Sequence, residues 1–231
     1  MAPINWLAFW DSPHSIYVNA RHRDIHYRLI AEQIAALVSP QARVLDYGCG
    51  EALHADRVAT ASTELLLCEG APGVRAGVAV RFADNPKIRA VAPDDVKRLP
   101  DRSLDLIVLH SVAQYLTSET MAELLALFHR LLDAGGTLVV SDVIPPQVAA
   151  ATDAAALLRF GAANGFFTAA VTGLVRTLFS DYWRLRTNYG LTRYSEAAMM
   201  QKLAAADFSA QRAPKNIGHN QARMEFIARP R

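Results

Sequence analysis

Between Arg43 and Asp142 the chain repeats one texture, a short apolar run followed by a stretch of helical periodicity. The runs are Arg43 to Tyr47, Leu65 to Glu69, Ile88 to Val91, Leu104 to His110 and Thr137 to Asp142, and the stretches between them predict helices near 51–61, 72–83 and 118–133. Short runs with little polar alternation suit strands buried on both faces, and strands separated by helices are laid parallel by crossover connections. The pattern therefore predicts an α/β fold, a parallel sheet with helices on both faces and right-handed crossovers.

The flanks read differently. A helix is predicted from about Ser15 to Val38, where Ile25, Leu29, Ile30, Ile34 and Leu37 recur at helical spacing, with Pro40 just beyond its end. After Asp142, Pro145 and Pro146 stop the strand, and a mostly helical segment runs from Val148 to Tyr194. A last helix opens at Ser195 and Glu196 and reaches about Ala206; the runs Phe208 to Ala213 and Arg223 to Arg229 then favour a hairpin and an antiparallel edge. One domain is expected, organised as N-terminal cap helices (1–40), a cofactor-binding core (41–144), a helical lid or insertion (145–194) and a closing helix with hairpin (195–231).

Composition narrows the function classes. A net charge of +2 is too small to make nucleic acid or an anionic membrane the expected partner. Two cysteines, Cys49 and Cys68, cannot build a disulfide framework and read as buried hydrophobes in a reducing compartment. Residues 1–10 lack the basic start of a secretory signal, and the uncharged run from Phe160 to Val175 is shorter than the roughly 20 residues a spanning helix needs. A soluble, cytoplasmic protein is expected.

The first strand ends in Asp46-Tyr47-Gly48-Cys49-Gly50. Glycines between a strand and a helix allow a tight turn and the close approach of a ligand. A third glycine is missing at Leu53, and Asp46 beside the turn would repel a phosphate and attract a cation. Glu69, at the end of the second strand, is placed to accept from both hydroxyls of a ribose, and Asp95 after the third strand from the amine of an adenine. Together these groups suit an adenosine ligand without phosphates.

With these residues in hand, the chain resembles the class I S-adenosylmethionine-dependent methyltransferases. The resemblance rests on Asp46 to Gly50, Glu69, Asp95-Val96 with Leu99-Pro100-Asp101, Ser103 to Val108, and Leu131 to Leu138, where Ala134 stands at a position usually held by Pro. It implies a Rossmann-like sheet of seven strands in the order 3-2-1-4-5-7-6, with S-adenosyl-L-methionine across the carboxyl ends of strands 1, 2 and 4. It further implies Asp46 and the backbone of Gly48, Cys49 and Gly50 at the methionine part, Glu69 at the ribose, Asp95 and the Val96 amide at the adenine, and His110 and Ser111 facing the methionine end.

Methyl transfer asks the protein to position a nucleophile and, where it carries a proton, to remove it. His110 is the first candidate base because it ends the fourth strand, although hydrogen bonding to a loop or the cofactor suits it equally; Tyr115 and His22 are further candidates. The N-terminal stretch holds Trp6, Phe9, Trp10, His14, Tyr17, His22, His26 and Tyr27 and is expected to cap the cofactor or simply to pack on the sheet, with Tyr17 and Arg21 closing on the methionine carboxylate. Asn19, His22 and His26 share a helical face, but without an acid beside them no metal site is predicted. The apolar span from Leu157 to Phe179 suits a lid over an apolar pocket, a dimer surface or an interfacial membrane contact. In the hairpin link, Asn216 to Asn220 and Arg223 fit turn chemistry or substrate contact.

The expected activity is methyl transfer to O or N of a small, partly apolar acceptor. The alternatives are a protein that binds S-adenosylmethionine or S-adenosylhomocysteine without transfer, and a lipid or quinone methyltransferase at the membrane surface. A nicotinamide oxidoreductase is disfavoured by Leu53 and Asp46. The expected partner is the small-molecule acceptor, without nucleic acid or stable membrane insertion, though with peripheral membrane association open, in a monomer or homodimer.

Overall fold

The computed structural model describes residues 9–12, 16–178 and 190–231; Trp6, His14 and Phe179 lie outside the described residues. In chain order the elements are α1 (Ala20–Ala35), β1 (Arg43–Tyr47), α2 (Ala55–Ala61), β2 (Glu64–Cys68), α3 (Pro72–Arg81), β3 (Ile88–Val91) and α4 (Pro93–Lys97). They continue with β4 (Leu104–His110), α5 (Ser118–Leu131), β5 (Leu132–Val143), α6 (Ala150–Asn164), α7 (Phe167–Leu178), α8 (Glu196–Ala205), β6 (Phe208–Arg212) and β7 (Met224–Pro230). The seven strands form one sheet in the order β3-β2-β1-β4-β5-β7-β6. The strands from β3 to β5 are parallel, and β7 runs antiparallel to both β5 and β6.

Side-chain alternation along the strands builds two cores. Leu45, Leu66, Ile107 and Leu109 face α5 and α8, which bury Leu125, Phe128 and Leu203 against them. Val44, Leu65, Leu67 and Val108 face the other way, onto Ile30 and Ile34 of α1 and Val58 of α2. Each fully buried side chain of this size contributes about 1.5–3 kcal/mol, which commits the two helix layers to opposite faces.

Helix starts follow local chemistry. The Asn19 side chain accepts from the His22 amide (2.8 Å), Thr117 from Thr120 (3.1 Å) and Ser195 from Ala198 (3.1 Å), satisfying donors left open at each first turn. The first helix thus begins at Ala20 rather than near Ser15. The fifth strand begins at Leu132, directly after α5, because Ala134 to Gly136 pass through the sheet as an irregularity instead of stopping a helix; the register against β4 jumps from Leu104–Leu132 to Leu106–Thr137.

The insertion forms two helices that meet at Gly165, in the left-handed conformation (φ 72°) that ends α6. Phe166 and Ala170 pack on Ile25 of α1, with Phe160 beside them, so the insertion supports the cap helix. Its base is tied back to the sheet by the Tyr194 amide, which donates to the Ile144 carbonyl (3.0 Å), and by Arg193, which donates to the carbonyls of Pro146 and Val148. Among the described residues no helix is long and apolar enough to cross a membrane.

Candidate active site

At the carboxyl end of β1 the backbone turns through Gly48 (φ 80°) and Gly50 (φ 58°). A Cβ at Gly48 would overlap Val112, and one at Gly50 would lie 2.7 Å from the Tyr27 hydroxyl, so both glycines are required by conformation and by space. The amides of this turn are already engaged. Those of Gly48 and Cys49 donate to the Cys68 carbonyl (2.8 and 3.1 Å), that of Gly50 to Glu69 (3.0 Å) and that of Glu51 to the Tyr27 hydroxyl (3.0 Å). What the turn offers a ligand is therefore room, with its amides engaged inside the protein.

Asp46 and Glu69 form an acidic wall. Glu69 is held at both oxygens, by the Gly50 amide and by the Ala71 amide (2.8 Å). Burial, and then the charge of Glu69, push Asp46 up to about 7. No cation from the described residues meets it, so a buried carboxylate stands ready to ionise beside a positively charged group.

Opposite this wall lies the cap. The two sides enclose a cavity of about 1360 Å³ that includes Asp46, Gly48, Cys49, Gly50, Glu69, His110, Ser111, Tyr17 and Tyr115 among its lining residues. Trp10, Asp11 and Ser12 also reach it, and Asp11 accepts from the amides of Gly73 (2.6 Å) and Val74 (3.3 Å) at the start of α3, where unpaired N–H groups favour an anion. Trp10 meets Tyr115 edge-on at 5.6 Å. The rings of Tyr17 and Tyr27 lie 5.7 Å apart, and the Tyr27 hydroxyl, accepting from the Glu51 amide, sets the cap against the glycine turn.

Four sequence-predicted residues lie off this cavity. Arg21 points outward, with Nε donating to the Asn164 carbonyl at 2.7 Å; Arg23, two positions on, lines the cavity and pairs with Glu51 (3.4 Å). His22 stacks on Phe166 (5.0 Å, 25°), and its Nδ1 accepts from the Val18 amide (3.3 Å). The Asp95 carboxylate turns back to the Ala92 amide (2.9 Å) and pairs with Arg98, and these two contacts hold it below the usual carboxylate range. The Val96 amide is spent on the Ala92 carbonyl (3.2 Å) and its side chain is buried in the core. Asp95 and Val96 thus sit off the cavity lining, each with local hydrogen bonds of its own. Among the described residues of the insertion none lines the cavity, and Phe166 and Ala170 support the cap helix.

Sequence reasoning passed over Tyr27 as a site residue and left His26 outside its list of bases. Both were within reach of helix phase. Tyr27 lies three and four residues before Ile30 and Ala31, and His26 four before Ile30, so they continue the sheet-facing stripe toward the strand ends. His110 is bonded through Nδ1 to Ser141 (2.9 Å) and through Nε2 to Ser111 (3.2 Å), which donates to Asp142 (2.6 Å). Asn216 of the hairpin link accepts from the Asp142 amide (2.8 Å), which gives the link a structural place behind this chain of bonds. Among the described residues no group of three or more His, Cys, Asp or Glu is arranged to hold a metal ion.

Residues 45–140 match the family model described as a methyltransferase domain. The fold has the same character. Magnesium protoporphyrin IX methyltransferase from Synechocystis, with bound SAH, is 15% identical and aligns over 97% of this chain and 92% of its own at a TM-score of 0.60. The YcgJ protein from Bacillus subtilis is 13% identical over 89% of this chain and 99% of its own, TM-score 0.61. A putative methyltransferase from Haloferax volcanii, in complex with the activator Trm112, is 15% identical over 90% and 92%, TM-score 0.59. No curated protein matches in sequence. Residues 45–140 thus carry a methyltransferase domain, on a sheet with the class I, Rossmann-like strand order.

Proposed function

We propose that this enzyme methylates an oxygen or nitrogen of a small, partly apolar acceptor. The observation that carries the reading is the composition of one cavity, in which Asp46 and Glu69 at the strand ends share the lining with Trp10, Tyr17 and His26 of the cap and with Tyr115 after β4. The residues present fit the cationic end of the cofactor, since a positive group beside Asp46 would return that carboxyl to its ionised form. Glu69, already fixed by two amides, keeps lone pairs for the ribose hydroxyls. For the adenine, Val74, Pro93 and Leu116 of the same cavity lining would provide apolar contact. When bound, the cofactor supplies an electrophilic methyl group on sulfur; the protein's part is to bind, orient and exclude water.

The expected result is that calorimetry finds S-adenosylmethionine binding to the wild type, weakened on the order of 10²–10³-fold by Asp46→Asn, the range set by removing one member of a buried charge pair. Equal affinity in the two proteins would overturn this site assignment. A second reading, an acceptor presented at a membrane surface, is favoured by the stripe Phe167, Val171 and Val175 on α7, which are 48, 41 and 55% exposed. Co-sedimentation with anionic phospholipid vesicles, lost in a Phe167→Ser, Val171→Ser double variant, tests it.

A further inference from the structure

Four histidines gather where the cap meets the sheet: His22 and His26 on α1, His110 at the end of β4 and His219 in the link between β6 and β7. The ring centroids of His22, His26 and His219 are 6.0–6.4 Å from one another. Three of the four have their ring nitrogens or faces committed. A carboxylate can only accept, so Ser111 gives its proton to Asp142, its oxygen takes the Nε2–H of His110, and the remaining Nδ1 takes the proton of Ser141. Neutral His110 therefore has no lone pair left for a substrate. His22 uses Nδ1 on the Val18 amide; its Nε2 is also buried without a partner, but its ring stacks on Phe166 and stays off the cavity lining. His219 lies flat on Phe160 (4.4 Å, 10°) and also stays off the cavity lining.

His26 is the exception. It lines the cavity, flanked by Tyr17 and Tyr27 (ring centroids 5.5 Å each), and makes no hydrogen bond at either nitrogen. Its Nδ1 is sealed from solvent without a partner, whereas its Nε2 is not among the sealed atoms. A buried nitrogen left unpaired is costly, and one that lines a cavity invites a functional explanation. We infer that Nε2 of His26 is the proton acceptor in methyl transfer, and that the acceptor is a neutral hydroxyl on an aromatic body. The inference rests on the methyltransferase reading of the same cavity.

The surroundings agree with both halves. Burial, then His110, His219 and His22, hold His26 well below the ordinary histidine value, so its imidazole is neutral at pH 7 and free to accept. A weakened base takes a proton most readily from an acidic hydroxyl, which selects a phenol over an alkanol. Trp10 and Tyr115 offer flat apolar surface for such a ring. In the transfer, the phenol oxygen bonds to the methyl carbon while the carbon–sulfur electron pair stays with sulfur. The O–H proton moves to His26 Nε2, and the imidazolium then releases it to water.

The test uses phenol, catechol and 4-nitrophenol as probe acceptors, with labelled S-adenosylmethionine and the full chain as His26→Ala and His26→Gln. The wild type is expected to label at least one phenol. Both variants should bind the cofactor with unchanged affinity by calorimetry, which also reports that they fold, yet lose roughly 10²–10⁴-fold in kcat. Added imidazole should restore part of the His26→Ala rate, and the acid limb of the wild-type kcat profile, lying below pH 6.5, should vanish. A variant as fast as wild type, with the same pH profile, would overturn the base. Cofactor binding by the wild type without label on any phenol would overturn the hydroxyl acceptor, whereas absent cofactor binding would overturn the methyltransferase reading itself.

Discussion

The two walls of the cavity are built by opposite means. On the sheet side, Asp46, the glycine turn and Glu69 are held by backbone bonds between adjacent strand ends, with Glu69 spanning only 19 residues to Gly50. On the cap side, the structure depends on side chains from remote parts of the chain. Arg21 reaches Asn164 across 143 residues, the Gly218 amide reaches Gln33 across 185, and Arg223 reaches Asp153 across 70. Local backbone bonding makes a rigid wall whose chemistry is nearly invariant to what surrounds it. Side-chain bonding makes a wall whose shape depends on several independent elements docking together.

The largest separation between the walls should follow loss of Arg223. Its guanidinium grips both oxygens of Asp153 (3.2 and 2.8 Å), and the side chains are only 9 and 19% exposed. Arg223→Ala takes the guanidinium from a carboxylate that still accepts from Asn220 (2.9 Å), and a cost of about 1.5–3 kcal/mol is expected. Hydrogen exchange should then rise in α1, α6 and α7 while amides of β1, β2 and β4 stay protected; uniform loss of protection would show that the walls are one cooperative unit.

A smaller effect is expected at the one residue where the walls touch most closely. Gly50→Ala forces a left-handed alanine and drives its Cβ toward the Tyr27 hydroxyl. About 1–2 kcal/mol of stability should be lost from the backbone conformation alone, read as a lower midpoint in urea. Adding Tyr27→Phe, which removes the hydroxyl, should return some of that loss; failure to do so would place the strain elsewhere.

The third expectation concerns pH, which acts on the two walls with opposite sign. Asp46 is raised in the fold to about 7 from 3.8, so the folded state holds its proton longer than the unfolded chain, and stability present at low pH is lost as pH rises through 7. His22 is lowered to about 4 from 6.5, by burial and then by His219, so stability present above 6.5 is lost as pH falls toward 4. A cationic ligand needs Asp46 ionised. Its affinity should therefore increase by up to about tenfold per pH unit on approaching pH 7 from below, then level off, as measured by calorimetry from pH 5.5 to 8.5. A flat profile would separate Asp46 from ligand binding.

How far the sequence could be read follows the same division. The strands from β1 to β4 stand within a residue of where apolar runs place them, because a buried parallel strand imposes its pattern residue by residue. The glycine turn and Glu69 were legible for a related reason, since one short motif dictates the whole geometry. Arg21 and Arg23 show where that stops: they differ by two helix positions, about 200° of rotation, and no local signal says which one faces the cavity. The local engagement of Asp95, whose carboxylate accepts from the Ala92 amide at its own helix start, was equally invisible to a motif reading. His219 could not be brought to the cap from sequence, since its position depends on how the link, α6 and α1 pack together.

Glu69 has a thermodynamic consequence. A glutamate side chain surrenders roughly 1.5–2 kcal/mol of rotamer freedom when it is fixed. With both oxygens already clasped by the Gly50 and Ala71 amides, that loss falls within the folding reaction, and an arriving ribose meets an acid that needs no further ordering. The Asp46 carboxyl, which lacks such clasps, still has to shed its proton in the neutral range. Binding should thus be coupled to proton release at Asp46, while Glu69 contributes an anchor that is already ordered.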